Sequence, residues 1–341
     1  MSYYHPLVIG SLTVPGNLFL APIAGYTDRA FRALCVEEGA DFTCTELISA
    51  EALIRNRVRA EPLMRRADRE ERYAIQLFGA DPEVMYQATA LLAPYHPEAV
   101  DINCGCPVPK VVKTGAGSAL MRQPSLLGRI VEAVVRSSRD HLQAVPVTVK
   151  MRSGWDQASI NYETCARIAV EAGAVMVSLH ARTRAQGYGG KSDWVHIKDL
   201  VSRLAVPVAG SGDLFSPEDA ERMLRETACA GVLFARGALG NPFIFRAARS
   251  LLLTGSYNTP VEAAERLRTG LRHMQLLAQD WGEKRACREM RKHFCAYTKG
   301  VPGGALLRNK LVHAETLEEY RALCREWAET ETGLPQSPDR G

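Results

Sequence analysis

The stretch "AVMVSLHA", residues 174–181, decides the fold class of this chain. It is a nearly continuous apolar run rather than a strict alternation, which is typical of a parallel β-strand buried on both faces. The glycine before it, Gly173, suits the end of a helix. Seven more runs of this kind recur at near-regular intervals: "NLFLAPI" (17–23), "FTCTELI" (42–48), "YAIQLFG" (73–79), "AVDINCG" (99–105), "VPVTVKM" (145–151), "VPVAGSGD" (206–213) and "GVLFARG" (231–237).

Amphipathic helical patterns separate these runs. The pairs Asp81-Pro82 and Ser216-Pro217 each place a capping side chain before a proline at the first helical position. Eight strand–helix units within roughly 230 residues favour an α/β fold of the (β/α)8 TIM barrel type. A doubly wound open sheet is the alternative, but it normally has fewer strands, and no GxGxxG turn follows the first run.

The pattern changes after the eighth unit. Residues 1–250 are predicted to form the barrel, and "LLLTGSYNTP" (251–260) is predicted to form a linker. From Val261 to about Thr332 the pattern is purely helical, which predicts a small all-helical C-terminal domain over residues 251–332. The tail "GLPQSPDRG" (333–341) is predicted to be disordered.

The composition is that of an ordinary globular protein, with 341 residues, 46% hydrophobic, 23% charged and a net charge of +4. No apolar run approaches the ~18 residues that a membrane helix needs. The start, "MSYYHPLVIGSL", lacks the pattern of a signal peptide. Nine cysteines, an odd number in a long chain, indicate free thiols in a reducing compartment, so we expect a cytoplasmic protein. No signal for the oligomeric state is present, and a monomer is our expectation.

Polar residues or glycine turns end nearly every predicted strand. In this barrel type, chemistry collects at the C-terminal strand ends, so we expect these groups to share one site. They are Pro22-Ile23-Ala24, Glu46, Gln76, Asn103, Lys150, His180, Ser211-Gly212-Asp213 and Ala235-Arg236.

The last two strand ends predict a phosphate site. "GSGD" (210–213) offers backbone N–H groups that an anion can approach closely, and "ARGALGNP" (235–242) offers Arg236 ahead of small residues. Loops after the seventh and eighth strands are the usual phosphate site of the barrel. Lys150 could stabilise an anionic reduced flavin, form a Schiff base as in aldolases, or pair with a carboxylate.

The motif "DINCGCP" (101–107) places two cysteines in one turn. A zinc site needs about four ligands, and no second cluster of cysteine and histidine accompanies them, so we expect no metal. A disulfide across one residue would be strained. We assign Cys104, nearer the strand, to packing. Cys106 precedes Pro107 in a stiff turn, where its thiol could act as nucleophile or proton donor, and its ordinary pKa of ~8.5 permits donation at neutral pH.

Several motifs in this order resemble the tRNA-dihydrouridine synthases, which are FMN-containing enzymes. They are "APIAGYTDRAFR" (21–32), "QLFG" (76–79), "DINCGCPVPKV" (101–111), "GAGSALM" (115–121), "VTVKMRSGW" (147–155), "LHARTRAQGYGGKSDW" (179–194), "VAGSGD" (208–213), "FARGALGNP" (234–242) and "REMRKHFCAYTKGVPGG" (288–304). The pairing of "DINCGCP" with "GSAL" is highly specific, whereas the phosphate turns are shared with other flavin barrels.

The resemblance implies a role for each matching residue. Cys106 matches the catalytic acid, and Asn103 a position close to flavin and uridine. Arg152 and Arg182 lie in motifs that contact substrate. The positions that match flavin contacts are Pro22, Ile23, Ala24, Gln76, Lys150, His180, Ser211, Gly212, Asp213, Ala235 and Arg236. Two of them depart from the family, which usually has Asn at 211 and often Gly at 235. These departures affect the expected affinity for FMN rather than the chemistry.

The helical segment carries a cationic stripe. At 100° per residue, one face collects Arg285, Arg288, Lys292 and Lys299, and the opposite face collects Ala286, Met290, Phe294 and Tyr297. Such a stripe suits contact with a phosphate backbone, and an ordinary solvated helix face is the alternative.

The expected reaction has two halves: NADPH (or NADH) reduces FMN, and a tRNA uridine flipped out of its stack then takes hydride at C6 and a proton from Cys106 at C5. Three rivals stay open at this point: a flavin barrel acting on a free pyrimidine, similar to dihydroorotate dehydrogenase; an aldolase using Lys150; and an RNA-binding barrel without catalysis.

Overall fold

Eleven strands form within the described residues of the computed structural model, which are 2–258 and 261–332. The strands are β1 (Leu7–Ile9), β2 (Leu12–Val14), β3 (Leu18–Leu20), β4 (Thr43–Cys44), β5 (Ile48–Ser49), β6 (Tyr73–Phe78), β7 (Ala99–Cys104), β8 (Val147–Gly154), β9 (Met176–Thr183), β10 (Val208–Ser211) and β11 (Gly231–Phe234).

Helices connect the strands and follow the last one. They are α1 (Arg29–Glu37), α2 (Ala50–Arg55), α3 (Arg57–Met64), α4 (Pro82–Ala90), α5 (Pro109–Val112), α6 (Pro124–His141), α7 (Tyr162–Glu171), α8 (Val195–Arg203), α9 (Pro217–Thr227), α10 (Ile244–Thr254), α11 (Ala263–Trp281), α12 (Glu283–Tyr297), α13 (Gly304–Leu311) and α14 (Leu317–Thr332). None of the helices in these ranges is long and apolar enough to cross a membrane.

The predicted (β/α)8 TIM barrel is confirmed. The strands pair in parallel in the order β3-β11-β10-β9-β8-β7-β6-β4, and β5 adds to β6. A parallel bridge between Phe19 and Phe42 joins the two ends of the order and closes the ring. The long, fully buried β9 is the run that decided the fold class from the sequence.

Local sequence signals place the helices as predicted. The Asp81 carboxylate accepts hydrogen bonds from the N–H groups of Glu83 and Val84, and Ser216 forms a capping box with Asp219. Gly39 and Gly173 follow helices with φ of 99° and 106°, which favour glycine.

An antiparallel hairpin, β1–β2, is a feature that the sequence did not predict. Its buried side chains Leu7, Ile9 and Val14 share one core cluster with Ala99 and Met176, the first residues of β7 and β9. The hairpin therefore covers the N-terminal end of the barrel and leaves the opposite end for function.

The chain divides into two compact units. The first comprises the described residues up to Gly237 together with Ile244–Tyr257, and the second comprises Ala238–Phe243 and the described residues from Asn258 onward. The second unit is helical, as predicted. The start predicted for the linker is wrong, because α10 continues through Thr254: Ile244, Ala248 and Leu252 form a buried stripe at helical spacing. The predicted tail, 333–341, lies outside the described residues.

A buried ion pair ties α1 to the segment that precedes β6. The Nε of Arg32 lies 2.8 Å from Oε1 of Glu70, and both side chains are fully buried. Arg32 also donates to the carbonyl of Thr27, in the loop after β3, and to that of Arg65. Glu70 in turn accepts from the hydroxyl of Thr43 and the N–H of Ala67.

We expect the substitution Arg32→Met to lower the free energy of unfolding by about 3–5 kcal/mol, because it leaves the Glu70 carboxylate buried without its cation. Arg167→Met is the control, since the exposed Arg167–Glu171 pair should be worth about 0.5 kcal/mol or less. Urea denaturation followed by circular dichroism measures both. Equal losses for the two variants would contradict the importance of the buried pair.

Candidate active site

A cavity of about 300 Å³ opens at the C-terminal ends of the barrel strands. The structure brings most of the predicted site residues into its lining: Pro22, Ile23, Ala24, Asn103, Cys106, Lys150, Arg152, His180, Ser211, Gly212, Asp213, Ala235 and Arg236. Gln76 and Arg182 are buried behind this lining. Arg285, Arg288, Lys292 and Lys299 belong to the second unit.

The sequence reasoning missed several residues that line the cavity. The most exposed are Val108, Tyr188 and Phe215, at 46%, 55% and 51% of their surface. Tyr188 is flanked by glycines at 187, 189 and 190, which was a signal for an aromatic ring presented by an open loop. The other residues missed are Ala21, Tyr26, Leu47, Gly105, Pro107, Leu214, Leu233 and Gly237.

The turn after β10 is shaped to receive an anion. Gly212 has φ of 119°, and a Cβ there would lie 2.3 Å from the Oγ of Ser192. Within the described ranges, no acceptor contacts the backbone N–H groups of Gly212 and Asp213. These two N–H groups and the nearby Arg236 provide donors for a negatively charged ligand.

The Asp213 carboxylate is already occupied by protein groups. It accepts from the guanidinium of Arg182 at 2.7 and 2.8 Å and from the N–H of Ser192 at 2.8 Å, and it lies 3.5 Å from Arg236. Burial alone would raise the pKa of Asp213, but the Ser192 N–H and the two arginines outweigh it and lower the pKa. The carboxylate therefore orients the arginines of the turn.

Both departures from the family pattern fit the backbone. The hydroxyl of Ser211 donates to the carbonyl of Leu233 at 3.3 Å. Ala235 is not among the residues with positive φ, so its methyl group causes no backbone strain.

Lys150 and His180 form the basic side of the cavity. In the part of the chain that the structure describes, no hydrogen bond or ion pair engages the ammonium of Lys150. Burial, followed by the charge of Arg152, lowers its pKa to about 8. Burial and four nearby cations also hold the pKa of His180 far below its usual range, so the ring is neutral. Since Arg182 can only donate, the Nε2 of His180 accepts at 3.4 Å and Nδ1 carries the proton.

The turn that carries Cys106 is held by its neighbours. Its N–H donates to Oδ1 of Asn103 at 2.9 Å, and its carbonyl accepts from both the N–H and the hydroxyl of Ser118. A Cβ on Gly117 would lie 2.8 Å from that carbonyl, so "GSAL" and "DINCGCP" meet at one point. Burial raises the pKa of the Cys106 thiol, although the Val108 N–H, Arg152 and Lys150 oppose it. Cys104 is fully buried in β7, where we expected it to pack.

Two buried arginines shape the loop after β9. Arg152 donates to the carbonyls of Gly105, Thr183 and Gly187 at 2.9–3.0 Å. Arg182 donates to the carbonyls of Gly189 and Gly190 in addition to Asp213. The loop that results holds Tyr188 at the cavity, with the guanidinium of Arg236 4.3 Å from its ring centroid.

The cationic stripe of the second unit lies mainly on α12. Arg285 and Arg288 are exposed, and the guanidinium of Arg285 lies over the ring of Trp281. Lys292 is half-buried and pairs with Glu289. The apolar face is confirmed, since Ala286, Met290, Phe294 and Tyr297 are fully buried. The helical position predicted for Lys299 is wrong, because the helix ends at Tyr297 and Lys299 is an exposed residue of the turn that follows.

Comparison with known proteins gives consistent matches. The family model "Dihydrouridine synthase (Dus)" matches residues 19–332. The chain is 48% identical over 328 residues to the probable tRNA-dihydrouridine synthase of Treponema pallidum (strain Nichols), covering 95% of this chain and 96% of the relative. It is 35% identical over 302 residues to tRNA-dihydrouridine synthase B of Pasteurella multocida (strain Pm70), covering 88% and 89%.

Among solved structures, histamine dehydrogenase from Rhizobium sp. 4-9 superposes with a TM-score of 0.56 at 13% identity, over 80% of this chain and 51% of its own length. A variant of NCR from Zymomonas mobilis superposes with a TM-score of 0.53 at 15% identity, over 78% of this chain and 95% of that one. At these identities the likeness shows the barrel fold alone. The family model, by contrast, spans nearly the whole sequence, and the chain therefore belongs to the dihydrouridine synthase family.

Proposed function

We propose that this chain is a tRNA-dihydrouridine synthase that reduces the C5–C6 double bond of uridine in tRNA, with FMN as cofactor and NADPH (or NADH) as reductant. One observation carries the proposal: a single cavity joins a protonated thiol, Cys106, an unpaired ammonium, Lys150, and an anion-binding turn at Gly212. The substrate class and the nine free thiols both suit the cytoplasm.

The donor set of the cavity fits FMN. The N–H groups of Gly212 and Asp213 with the guanidinium of Arg236 would hold the phosphate. Lys150 and the Nδ1–H of His180 would face the ring system, where a fixed cation stabilises negative charge. When bound, the flavin supplies a hydride to C6 of the uracil ring.

The role of Cys106 follows from its protonation state. Because burial raises the pKa of its thiol, the group carries its proton at neutral pH. A thiol at the cavity wall can then give that proton to C5 of the uracil as a general acid. Nucleophilic attack would instead require a thiolate, which burial disfavours.

The rim of the cavity suits an unstacked base. A uridine must leave its stack before its C5–C6 bond can be reached, and flipped bases are stabilised by aromatic and apolar surfaces. Tyr188, Phe215 and Val108 provide such a surface at the opening.

RNA binding is supported by α12. Its exposed arginines, Arg285 and Arg288, lie on the face opposite the buried residues of the helix and can neutralise backbone phosphates. A reductase for a free pyrimidine has no use for such a surface, which is the observation that favours tRNA over that alternative.

The substitution Gly212→Ala should weaken FMN binding roughly 5- to 150-fold. At the positive φ of this position an alanine is strained by about 1–3 kcal/mol, and the backbone of the phosphate turn must move to relieve the strain. Fluorescence titration of flavin-stripped protein measures the dissociation constant. Gly255→Ala is the control, since φ is 78° there and a Cβ would meet nothing within 4 Å. An unchanged dissociation constant for Gly212→Ala would remove the turn from the cofactor site.

The substitution Cys106→Ala should leave FMN bound and reducible by NADPH, but it should slow oxidation of the reduced enzyme by tRNA roughly 100- to 10,000-fold. Stopped-flow absorbance measures both half-reactions. In the wild type, the second half-reaction should slow as the pH rises through the raised pKa of the thiol, because only the protonated form donates. Cys104→Ala should retain the tRNA half-reaction, and a Cys106→Ala variant as fast as wild type would refute the assignment.

The double substitution Arg285→Glu with Arg288→Glu should raise KM for tRNA and reduce the salt dependence of tRNA binding by about two units of slope. Reduction of FMN by NADPH should not change. Arg129→Glu with Arg139→Glu, on exposed positions of α6, makes the same change of charge in the first unit and serves as the control. Similar effects from both pairs would mean that total charge matters rather than the α12 surface.

A further inference from the structure

Five hydrogen bonds link buried polar side chains from the barrel interior to the turn of Cys106. The hydroxyl of Thr148 donates to Oδ1 of Asp101 at 2.5 Å, and Nε2 of Gln76 donates to Oδ2 of Asp101 at 2.6 Å. Nδ2 of Asn103 donates to Oε1 of Gln76 at 2.8 Å. Oδ1 of Asn103 accepts from the N–H of Cys106 at 2.9 Å and of Gly105 at 3.2 Å.

We propose that Asp101 is a positioning residue, which fixes the turn of Cys106 through Gln76 and Asn103. The proposal deepens the proposed function, because it concerns the group that we assign as its acid. Neither Asp101 nor Gln76 lines the cavity at the C-terminal ends of the strands, whereas Asn103 and Cys106 do. Asp101 therefore reaches Cys106 through Gln76 and Asn103, while its charge also acts on the ammonium of Lys150.

The direction of the chain of hydrogen bonds is set at its buried end. An ionised carboxylate can only accept, so Asp101 forces the Gln76 amide to present Nε2 to it and Oε1 to Asn103. Oε1 can only accept in turn, so Asn103 must present Nδ2 to Gln76 and Oδ1 to the turn. Rotation of either amide by 180° would bring two donors or two acceptors together in a buried place, which costs about 1–3 kcal/mol.

Because the network is buried, Asp101 strongly determines the orientation of the Gln76 and Asn103 amides. Gln76 is fully buried, and Thr148, Asp101 and Asn103 are exposed by 1%, 6% and 7%. Water is thus a poor substitute for a lost partner. Burial raises the pKa of Asp101 to about 6, opposed by the donors Gln76 and Thr148 and by the charge of Lys150, so the carboxylate is ionised at neutral pH and above.

The network also gives Gln76 a role besides the expected contact with the flavin. The family resemblance implies a direct contact between Gln76 and the flavin. In the structure, its amide oxygen and nitrogen are each engaged by a protein partner, and the side chain has no exposed surface. A positioning role explains these contacts, and the second N–H and second lone pair of the amide stay available for the cofactor.

The test compares Asp101→Leu, which removes both acceptors, with Asp101→Asn. The asparagine can still accept from Gln76 while its amide donates to a rotated Thr148 hydroxyl, so it should restore the chain. The first readout is the rate at which iodoacetamide alkylates Cys106 in the FMN-loaded protein, followed by peptide mass spectrometry. We expect Asp101→Leu to change this rate about tenfold, which corresponds to the loss of one buried hydrogen bond, and Asp101→Asn to stay within about twofold of wild type.

The second readout is kinetic. In Asp101→Leu, kcat for tRNA reduction should fall about tenfold, while KM for tRNA and the dissociation constant of FMN stay within about twofold. Thr148→Val provides a milder variant if Asp101→Leu does not fold, and it should shift both readouts in the same direction. Its matched control is Thr89→Val, because the fully buried Thr89 hydroxyl donates only to the carbonyl of Met85 in its own helix.

Two results would overturn the proposal. The first is an alkylation rate in Asp101→Leu that equals the wild-type rate. If Asp101→Leu does not fold, the corresponding result is an alkylation rate in Thr148→Val that equals the rate of wild type or of Thr89→Val. The second is a large rise in the FMN dissociation constant with unchanged alkylation, which would mean that the network serves cofactor binding rather than the position of Cys106. If the wild type fails to reduce tRNA, the proposed function fails, but the alkylation readout still decides the positioning role.

Discussion

The parallel register of β7, β8, β9 and β10 is the constraint on which the site depends. It places Asn103 opposite Lys150, Arg152 opposite His180, and His180 opposite Ser211. Residues on neighbouring parallel strands lie about 5 Å apart, so groups separated by dozens of residues in sequence become neighbours. A shift of one residue in any of these strands would turn its site residue away from the cavity.

Charge is concentrated around the cavity, and the fold compensates for its burial. Arg152 and Arg182 lie almost fully buried, yet their guanidinium groups are satisfied by loop carbonyls and by Asp213. Burial nevertheless lowers the pKa of Arg152 to about 10. With Lys150 and Arg236 added, cations exceed anions at the cavity, and such an environment favours a ligand that carries phosphate or develops negative charge.

The backbone of Cys106, which carries the thiol, is held from two sides by groups that come from different segments. Ser118 binds its carbonyl from the segment after β7, and Asn103 binds its N–H from the strand itself. A proton donor must be placed within a few tenths of an ångström to be effective, and a turn with both backbone groups bonded has little freedom to move. The co-occurrence of "DINCGCP" and "GSAL" in the sequence has this physical basis.

The sequence by itself determined the barrel and most of the cavity lining. Continuous apolar runs are typical of strands covered on both faces, and the polar residues that end these runs then lie near the common mouth of the barrel. Only the tertiary structure decided where side chains near those ends point and what they meet. Gln76 is enclosed by Asp101 and Asn103, and the hairpin covers the far end of the barrel. The ring of Tyr188 is contacted at the opening by Arg152 of β8 and by Arg236, which follows β11. These outcomes depend on contacts between residues distant in sequence, and no local pattern encodes which partner will be present.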